Sequence, residues 1–344
     1  MIIFKRKLQF GTGCIPDESD DRDLKYEETL SGDETLTDEE WQKGFDIEKE
    51  IGVKIPIKNQ GKSSSCVGNG WAYYNAILNT IEEKLYKEVS AKSIYSQIFQ
   101  PGGGASIRDG AKLIVDWGAL QESYLTSYNN SQLPTEDFMR ELSWKNQKAD
   151  DMAKILKAKE YRVIAGQPTI DKCAKAIKDG MGMVFGLYGE NNGTWGSNEP
   201  RPPKTKVWAH CIIGGKYGID RLGKYIATPN SWGERSKDEL HPDGWQKLRE
   251  DYFSDSFIFN PWVLIDRPNI LMSDVAQNIV NKYEKKIIGE SEGVGRKGII
   301  INGKLREIKN DRVGDACLYA LATNGFGTFV NTKTFDEITK DIDF

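Results

Sequence analysis

From Cys66 onward, Trp71, Tyr74, Leu78, Ile81 and Leu85 recur at spacings of 3, 4, 3 and 4. That period sets them on one stripe of an amphipathic α-helix. Ser64 or Ser65 stands where a hydroxyl can accept from the unpaired first-turn amides. A Gly-rich break at residues 101–104 precedes a second predicted helix, residues 109–117, ended by Gly118. A third is predicted at 170–178 and stopped at Gly180. Beyond it the period changes to strands, at 181–188, 208–214 and 224–228, with a hairpin at 217–224. Helices first and strands later indicate α+β, the two classes in separate layers. Residues 298–308 carry Asn302-Gly303 between two apolar runs, a tight hairpin signal.

Composition narrows the choices. The chain has 344 residues, 38% of them hydrophobic, with 34 glycines. That is ordinary for a globular protein and too apolar for a disordered one. No run approaches the roughly 18 apolar residues of a membrane span, so no membrane partner is expected. Met1-Ile2-Ile3-Phe4-Lys5-Arg6-Lys7 has its apolar residues ahead of its basic ones, the reverse of a secretory signal. The expected location is the cytoplasm, or a virion or release by lysis.

The net charge is −4 but unevenly spread. Residues 17–50 hold fifteen acidic and four basic residues, a net of −11. With three basic residues ahead of them, the chain beyond Glu50 carries +4. No dense basic stripe is interleaved with aromatics, so no nucleic-acid partner is expected. Residues 1–50 read as a loop-rich, solvated acidic leader.

Five cysteines, at 14, 66, 173, 211 and 317, have no two close together, and the histidines are His210 and His241 alone. That is too little for a zinc site, and the odd count argues against a disulfide framework, so reduced thiols and no metal or cofactor are expected. Gly293-Val-Gly295-Arg-Lys-Gly298 matches a dinucleotide-binding pattern, but a strand follows where a helix is needed. Cys66 heads the first predicted helix, where the dipole and free amides lower a thiol pKa, making it either a nucleophile or a buried structural thiol. Gly68 and Gly70 leave room for another surface to approach that helix closely.

The residues around Cys66 resemble the papain-like cysteine peptidases. Gln60-Gly61-x-x-x-Ser65-Cys66 is similar to that family's nucleophile segment. Trp208-Ala209-His210-Cys211-Ile212-Ile213-Gly214 is similar to its histidine strand, and Asn230-Ser231-Trp232-Gly233 to its Asn-Ser-Trp-Gly signature. Asp243-Gly244-Trp245 resembles the aromatic strand beyond. His210 follows Cys66 by 144 residues and Asn230 by 164, near the roughly 130–150 of the family. Looser matches at 16–26, 102–117 and 170–187 extend the resemblance over about residues 14–265. Ser63 stands where many members have a disulfide cysteine, and Val67 where tryptophan often follows the nucleophile. Both departures are similar to a bacterial or phage-like branch, and the long helical propeptide of the secreted enzymes is not evident.

The resemblance implies a papain-like fold, a helical lobe bearing the nucleophile helix and an antiparallel β lobe, over residues 51–270. A small α+β module at 280–344 is expected to dock on that domain or on a partner. The resemblance also implies a Cys66–His210–Asn230 triad acting on a peptide or protein substrate, with Gln60 and the Cys66 N–H as oxyanion donors. Trp232 would cover the His–Asn bond, or simply pack in the core. Gly103 and Gly104 would receive substrate backbone, or form an ordinary loop. Trp208 and Cys211 would face the specificity pocket. The alternatives are an amidase or transpeptidase acting on cell-wall peptides, and a non-catalytic assembly protein keeping the fold.

Overall fold

Short polar side chains decide where most helices begin. In α1 (Asp38–Lys43) the Thr37 hydroxyl accepts from the Glu40 N–H, while the Glu40 carboxylate accepts from the Thr37 N–H. Asp46 caps α2 (Ile47–Ile51), Ser90 caps α4 (Ala91–Ile98) and Ser106 caps α5 (Ile107–Asp116). Thr135, Asn146 and Thr169 do the same for α6 (Glu136–Arg140), α7 (Gln147–Ala153) and α8 (Ile170–Gly180). Each cap stabilises its helix by about 1 kcal/mol. α3 (Cys66–Glu83) and α9 (Asp251–Ser254) complete the helices described. The structure, a computed structural model, describes residues 11–29, 35–83, 85–128, 132–233, 244–254, 256–265, 287–290, 297–301, 304–307 and 327–330.

The chain divides into two units, residues 1–267 and 268–344. In the first, β1 (Cys14–Ile15) pairs in parallel with β3 (Ala105–Ser106). One sheet has the order β4 (Glu160–Val163), β10 (Ile258–Ile265), β5 (Met183–Gly189), β6 (Trp208–Gly214). A second runs β2 (Phe45–Asp46), β7 (Lys216–Asp220), β8 (Gly223–Pro229), β9 (Trp245–Arg249). All pairs in these two sheets are antiparallel. The chain passes from one sheet to the other at Gly215, where a Cβ would press to 3.0 Å from Ile47 and Trp245. In the second unit β11 (Ile287–Glu290), β12 (Lys297–Ile301), β13 (Lys304–Glu307) and β14 (Gly327–Val330) form a sheet of order β13-β12-β11-β14.

α3 is not amphipathic. Val67, Ala72, Tyr73 and Ala76 are as buried as Trp71 and Tyr74, because the helix lies between α4 and α5 on one side and β6 on the other. A helix buried all round carries no polar face. Its glycines make that fit: a Cβ on Gly68 would stand 2.7 Å from the Ala91 carbonyl oxygen, and one on Gly70 would stand 3.1 Å from Cys211 Sγ. Leu85, expected on the buried stripe, lies past the helix end and is exposed. The Ser65 carbonyl accepts the first helical bond from Asn69, while its hydroxyl meets Ser63 Oγ and Asn69 Nδ2 instead of a first-turn amide.

Over its described residues the leader is not a solvated arm. Trp41 and Ile47 are fully buried, and β2 extends the second sheet. Its carboxylates pair with cations of the rest of the unit: Asp23 with Arg108, Glu28 with Arg162, Glu40 with Lys178, and Asp46 and Glu48 with Lys216. Segments 289–298, read as linker, begin and end in strand. His241, the Asn302-Gly303 turn, Cys317 and the apolar run at 316–321 lie outside the described residues.

Candidate active site

Two short segments far apart in sequence are zipped together beside the head of α3. The Gln60 N–H donates to the Ser231 carbonyl (2.8 Å) and the Gly233 N–H to the Lys58 carbonyl (2.9 Å), with Asn59 bridged to Trp232. Ser231 Oγ donates to Gln60 Oε1 at 2.6 Å. Gly233, at φ +78°, has no room for a Cβ, which would meet Asn59 Nδ2 at 2.5 Å. The segment leading into Cys66 is thereby fixed to the loop that carries Asn230.

β6 brings His210 to the same place. His210 Nε2 lies 3.0 Å from Asn230 Oδ1, both residues buried. Trp232 stacks on the imidazole, ring centroids 4.4 Å apart and planes inclined by 23°. The Cys66 thiol meets the backbone N–H of Cys211, the residue after His210, and those of Val67 and Gly13. Nε2 is the ring nitrogen that faces Asn230, and Nδ1 is on the other side of the ring. Gln60 and Asn230 are thus tied together through Ser231 and its neighbours, His210 meets Asn230, and the Cys66 thiol lies against the residue after His210.

Residues 11–15 of the chain pass through this site. The Gly11 carbonyl oxygen accepts from Gln60 Nε2 (3.0 Å) and from Trp232 Nε1 (3.1 Å), and the Gly11 N–H donates to the Gly61 carbonyl (3.0 Å). Gln60 Nε2 also donates to the Ser63 carbonyl at 2.8 Å. The Gly13 carbonyl accepts from the Ala105 N–H at 2.8 Å, and Cys14 pairs with Ala105 across β1 and β3. Close approach demands glycine here: a Cβ on Gly11 would lie 1.8 Å from the Ser63 oxygen, and one on Gly13 2.5 Å from Ser64.

Gly103 and Gly104 line the opposite wall. A Cβ on Gly104 would come 2.3 Å from the Gly13 oxygen, so the backbone-to-backbone approach expected for a substrate is made by the leader. Cys211 is buried against Gly70 and in thiol–thiol hydrogen-bond contact with Cys14. Trp208 is half-buried, edge-on to Trp195 and Trp232, with its Nε1 donating to Asn191 Oδ1 at 3.2 Å.

The lowered thiol pKa expected at a helix N-terminus is reversed. Burial pushes the Cys66 thiol far up, and the neighbouring Cys14 thiol adds to the rise. The three backbone N–H groups pull the other way and do not prevail. Loss of solvent outweighs the helix terminus here, with Gly13 and Cys14 among the groups beside the thiol. Burial raises Cys14 and Cys211 as well.

Two contributors were not read from the sequence. Gly11 acts through its carbonyl, and a backbone group leaves no mark in residue type. Gln246 was legible in principle, as a polar residue sharing the buried face of β9 with Leu248. Its Oε1 accepts from Asn230 Nδ2 at 2.8 Å.

No family model and no curated protein sequence matches the chain. Solved structures do. Xylellain, a cysteine protease from Xylella fastidiosa, is 23% identical over 77% of this chain and 99% of its own, with a TM-score of 0.59. Digestive procathepsin L 3 of the Tenebrio molitor larval midgut is 13% identical over 76% and 77%, at 0.54. Bromelain from Ananas comosus, in complex with the E64 inhibitor, is 15% identical over 65% and 99%, at 0.50. These likenesses establish architecture: the chain has the papain-like α+β fold.

Proposed function

We propose that the chain is a cysteine peptidase held closed by its own residues 11–15. The observation that carries the reading is the His210 Nε2–Asn230 Oδ1 contact of 3.0 Å beside a thiol at the head of a helix. The chemistry follows from those atoms. With the site uncovered, His210 Nδ1 takes the Cys66 proton, and the thiolate attacks the carbonyl carbon of a peptide. Negative charge gathers on the carbonyl oxygen, where Gln60 Nε2 and the Cys66 N–H donate to it. The imidazolium returns the proton to the departing amine, and water then releases the acyl group by the same route. Asn230 Oδ1 accepts from Nε2–H throughout, and the Trp232 ring shields that bond from water.

In the closed form the Gly11 carbonyl takes the Gln60 donor that a substrate carbonyl needs. Proteins of like fold, xylellain and bromelain, are cysteine proteases, which supports the reaction class. The test is labelling with an epoxide-type thiol-protease inhibitor. The adduct should map to Cys66, be lost in Cys66→Ala and His210→Ala, and rise when residues 1–16 are removed. An adduct on another cysteine, or peptide cleavage that survives Cys66→Ala, would overturn the reading.

A further inference from the structure

Gln246 lies on β9 opposite Thr228, two positions before Asn230, and only 2% of it is exposed. Its amide is fully matched. Nε2 donates to the carbonyl oxygens of Ser197 (2.9 Å) and Trp195 (3.2 Å), and Oε1 accepts from Asn230 Nδ2 (2.8 Å). Those partners remove the usual freedom of an amide to turn over. A backbone carbonyl can only accept, so the NH2 edge of Gln246 has to face Trp195 and Ser197. Oε1 then has to face Asn230, and an oxygen can only accept, so Asn230 presents its own NH2 to Gln246. One choice remains for Asn230: Oδ1 points at His210. That oxygen in turn needs a hydrogen on His210 Nε2, which leaves the basic lone pair of the neutral ring on Nδ1.

We infer that Gln246 is a positioning residue that fixes the His210 tautomer through Asn230, transmitting the polarity of the Trp195 and Ser197 carbonyls to the imidazole. The inference deepens the peptidase reading and rests on it for its catalytic meaning; the tautomer itself does not depend on that reading. Without the acceptor at 246, Asn230 loses its reason to prefer one orientation. Turned over, it would offer NH2 to Nε2, favour the ring with its proton on Nδ1, and oppose the imidazolium that forms during turnover. Leaving a buried amide N–H unmatched is itself costly, so the flipped state is populated at the expense of the competent one.

The composition makes the test clean, because the chain has 2 histidines, His210 and His241. The full chain labelled with 15N-histidine is observed on the alkaline side of the histidine titration, where the ring is neutral. The buried ring should carry its proton on Nε2. Gln246→Met, of similar volume but without a strong acceptor, should shift that ring toward a mixture with Nδ1–H. Gln246→Glu should keep Nε2–H, since a carboxyl oxygen in either protonation state still accepts from Asn230 Nδ2. In the full chain, Gln246→Met should lower kcat/KM by roughly 10- to 100-fold relative to the unsubstituted chain, the range of one lost hydrogen bond to a charged group. Gln246→Glu should recover most of that loss.

If Gln246→Met keeps pure Nε2–H, or loses activity only in proportion to its unfolded fraction, the positioning role is wrong. If it does not fold, Gln246→Glu decides: a mixed tautomer there overturns the inference and a pure one supports it. Cys66→Ala, run alongside, separates the two claims, because cleavage that survives it sinks the peptidase reading and leaves the tautomer result standing.

Discussion

Residues 11–16 and 38–51 belong to the same leader, yet they hold to the body by opposite means. The earlier stretch binds through main-chain groups: the Gly11 carbonyl on Gln60 and Trp232, the Gly13 carbonyl on Ala105, and glycines chosen for closeness. The later one binds through buried side chains. Trp41 has no exposed surface, donates to Asp171 Oδ1 at 2.8 Å and meets Tyr217 edge-on at 5.3 Å. Ile47 packs under Gly215 at the sheet crossing. Large apolar burial is hard to undo locally, whereas a few hydrogen bonds, each worth about 1 kcal/mol net, can open and close. One half of the leader is anchored by large side chains in the core; the other, whose one buried side chain is the small Cys14, is on the reading proposed a reversible occupant of the cleft.

The sharpest way to break that contrast is to treat the halves alike. Trp41→Ala should destabilise the fold by about 3–5 kcal/mol in denaturant unfolding. A loss below 1 kcal/mol would mean that the later stretch is as dispensable as the earlier one. Next in size is the gain from uncovering the thiol. Removing residues 1–16 should leave the unfolding midpoint nearly unchanged and raise kcat/KM on a short fluorogenic peptide by at least about tenfold, or ~1.4 kcal/mol of docking. Gly13→Ala in the full chain should give a smaller rise in the same direction, since its methyl would collide with Ser64. No gain in either protein would sink the occlusion argument.

The smallest effect is in pH. Burial raises the Cys14 thiol, with Cys211 adding to the rise, and burial raises the Cys66 thiol, against which the Gly13 N–H and the Cys14 thiol lie. A group whose pKa is raised on docking favours the docked state below its free value, about 8.5 for a thiol, and that preference fades as pH climbs above it. The activity of the full chain relative to the trimmed one should therefore climb from about pH 8 to pH 10. A ratio flat across that range would place these thiols in the same surroundings whether the leader is docked or released.

What could be read beforehand follows the same divide between side chain and backbone. β6 and β8 were visible because their alternation and β-branched residues are properties of residue type, and α5 and α8 because their apolar period ends at glycine or just before it. The meeting of Cys66, His210, Asn230 and Gln60 was expected from resemblance, through motifs that name their residues. α4 escaped notice: Lys92, Ser93 and Ser96 are buried, the serine hydroxyls matched within the helix and its cap and Lys92 by Glu141, so its sequence reads as polar where its surroundings are not. Residues 38–51 were read as solvated because fifteen carboxylates dominate the stretch around them, though several of those pair with cations from the other half of the balance. Gly11 could not have been found by any count of residue types.

The covalent link between Gly11 and the site it covers has a kinetic consequence. A separate inhibitor is diluted away with the protein, but a tethered one keeps a fixed local concentration, on the order of millimolar for a short connection. Occupancy of the cleft is then the same in a dilute assay as in a concentrated solution, and no dialysis relieves it. A substrate meeting such a protein competes against a constant. The apparent KM is multiplied by one plus the closing equilibrium constant, while kcat at saturation is untouched. Selectivity follows: peptides that hold the cleft weakly are refused, and those that grip it along several residues open the chain for themselves.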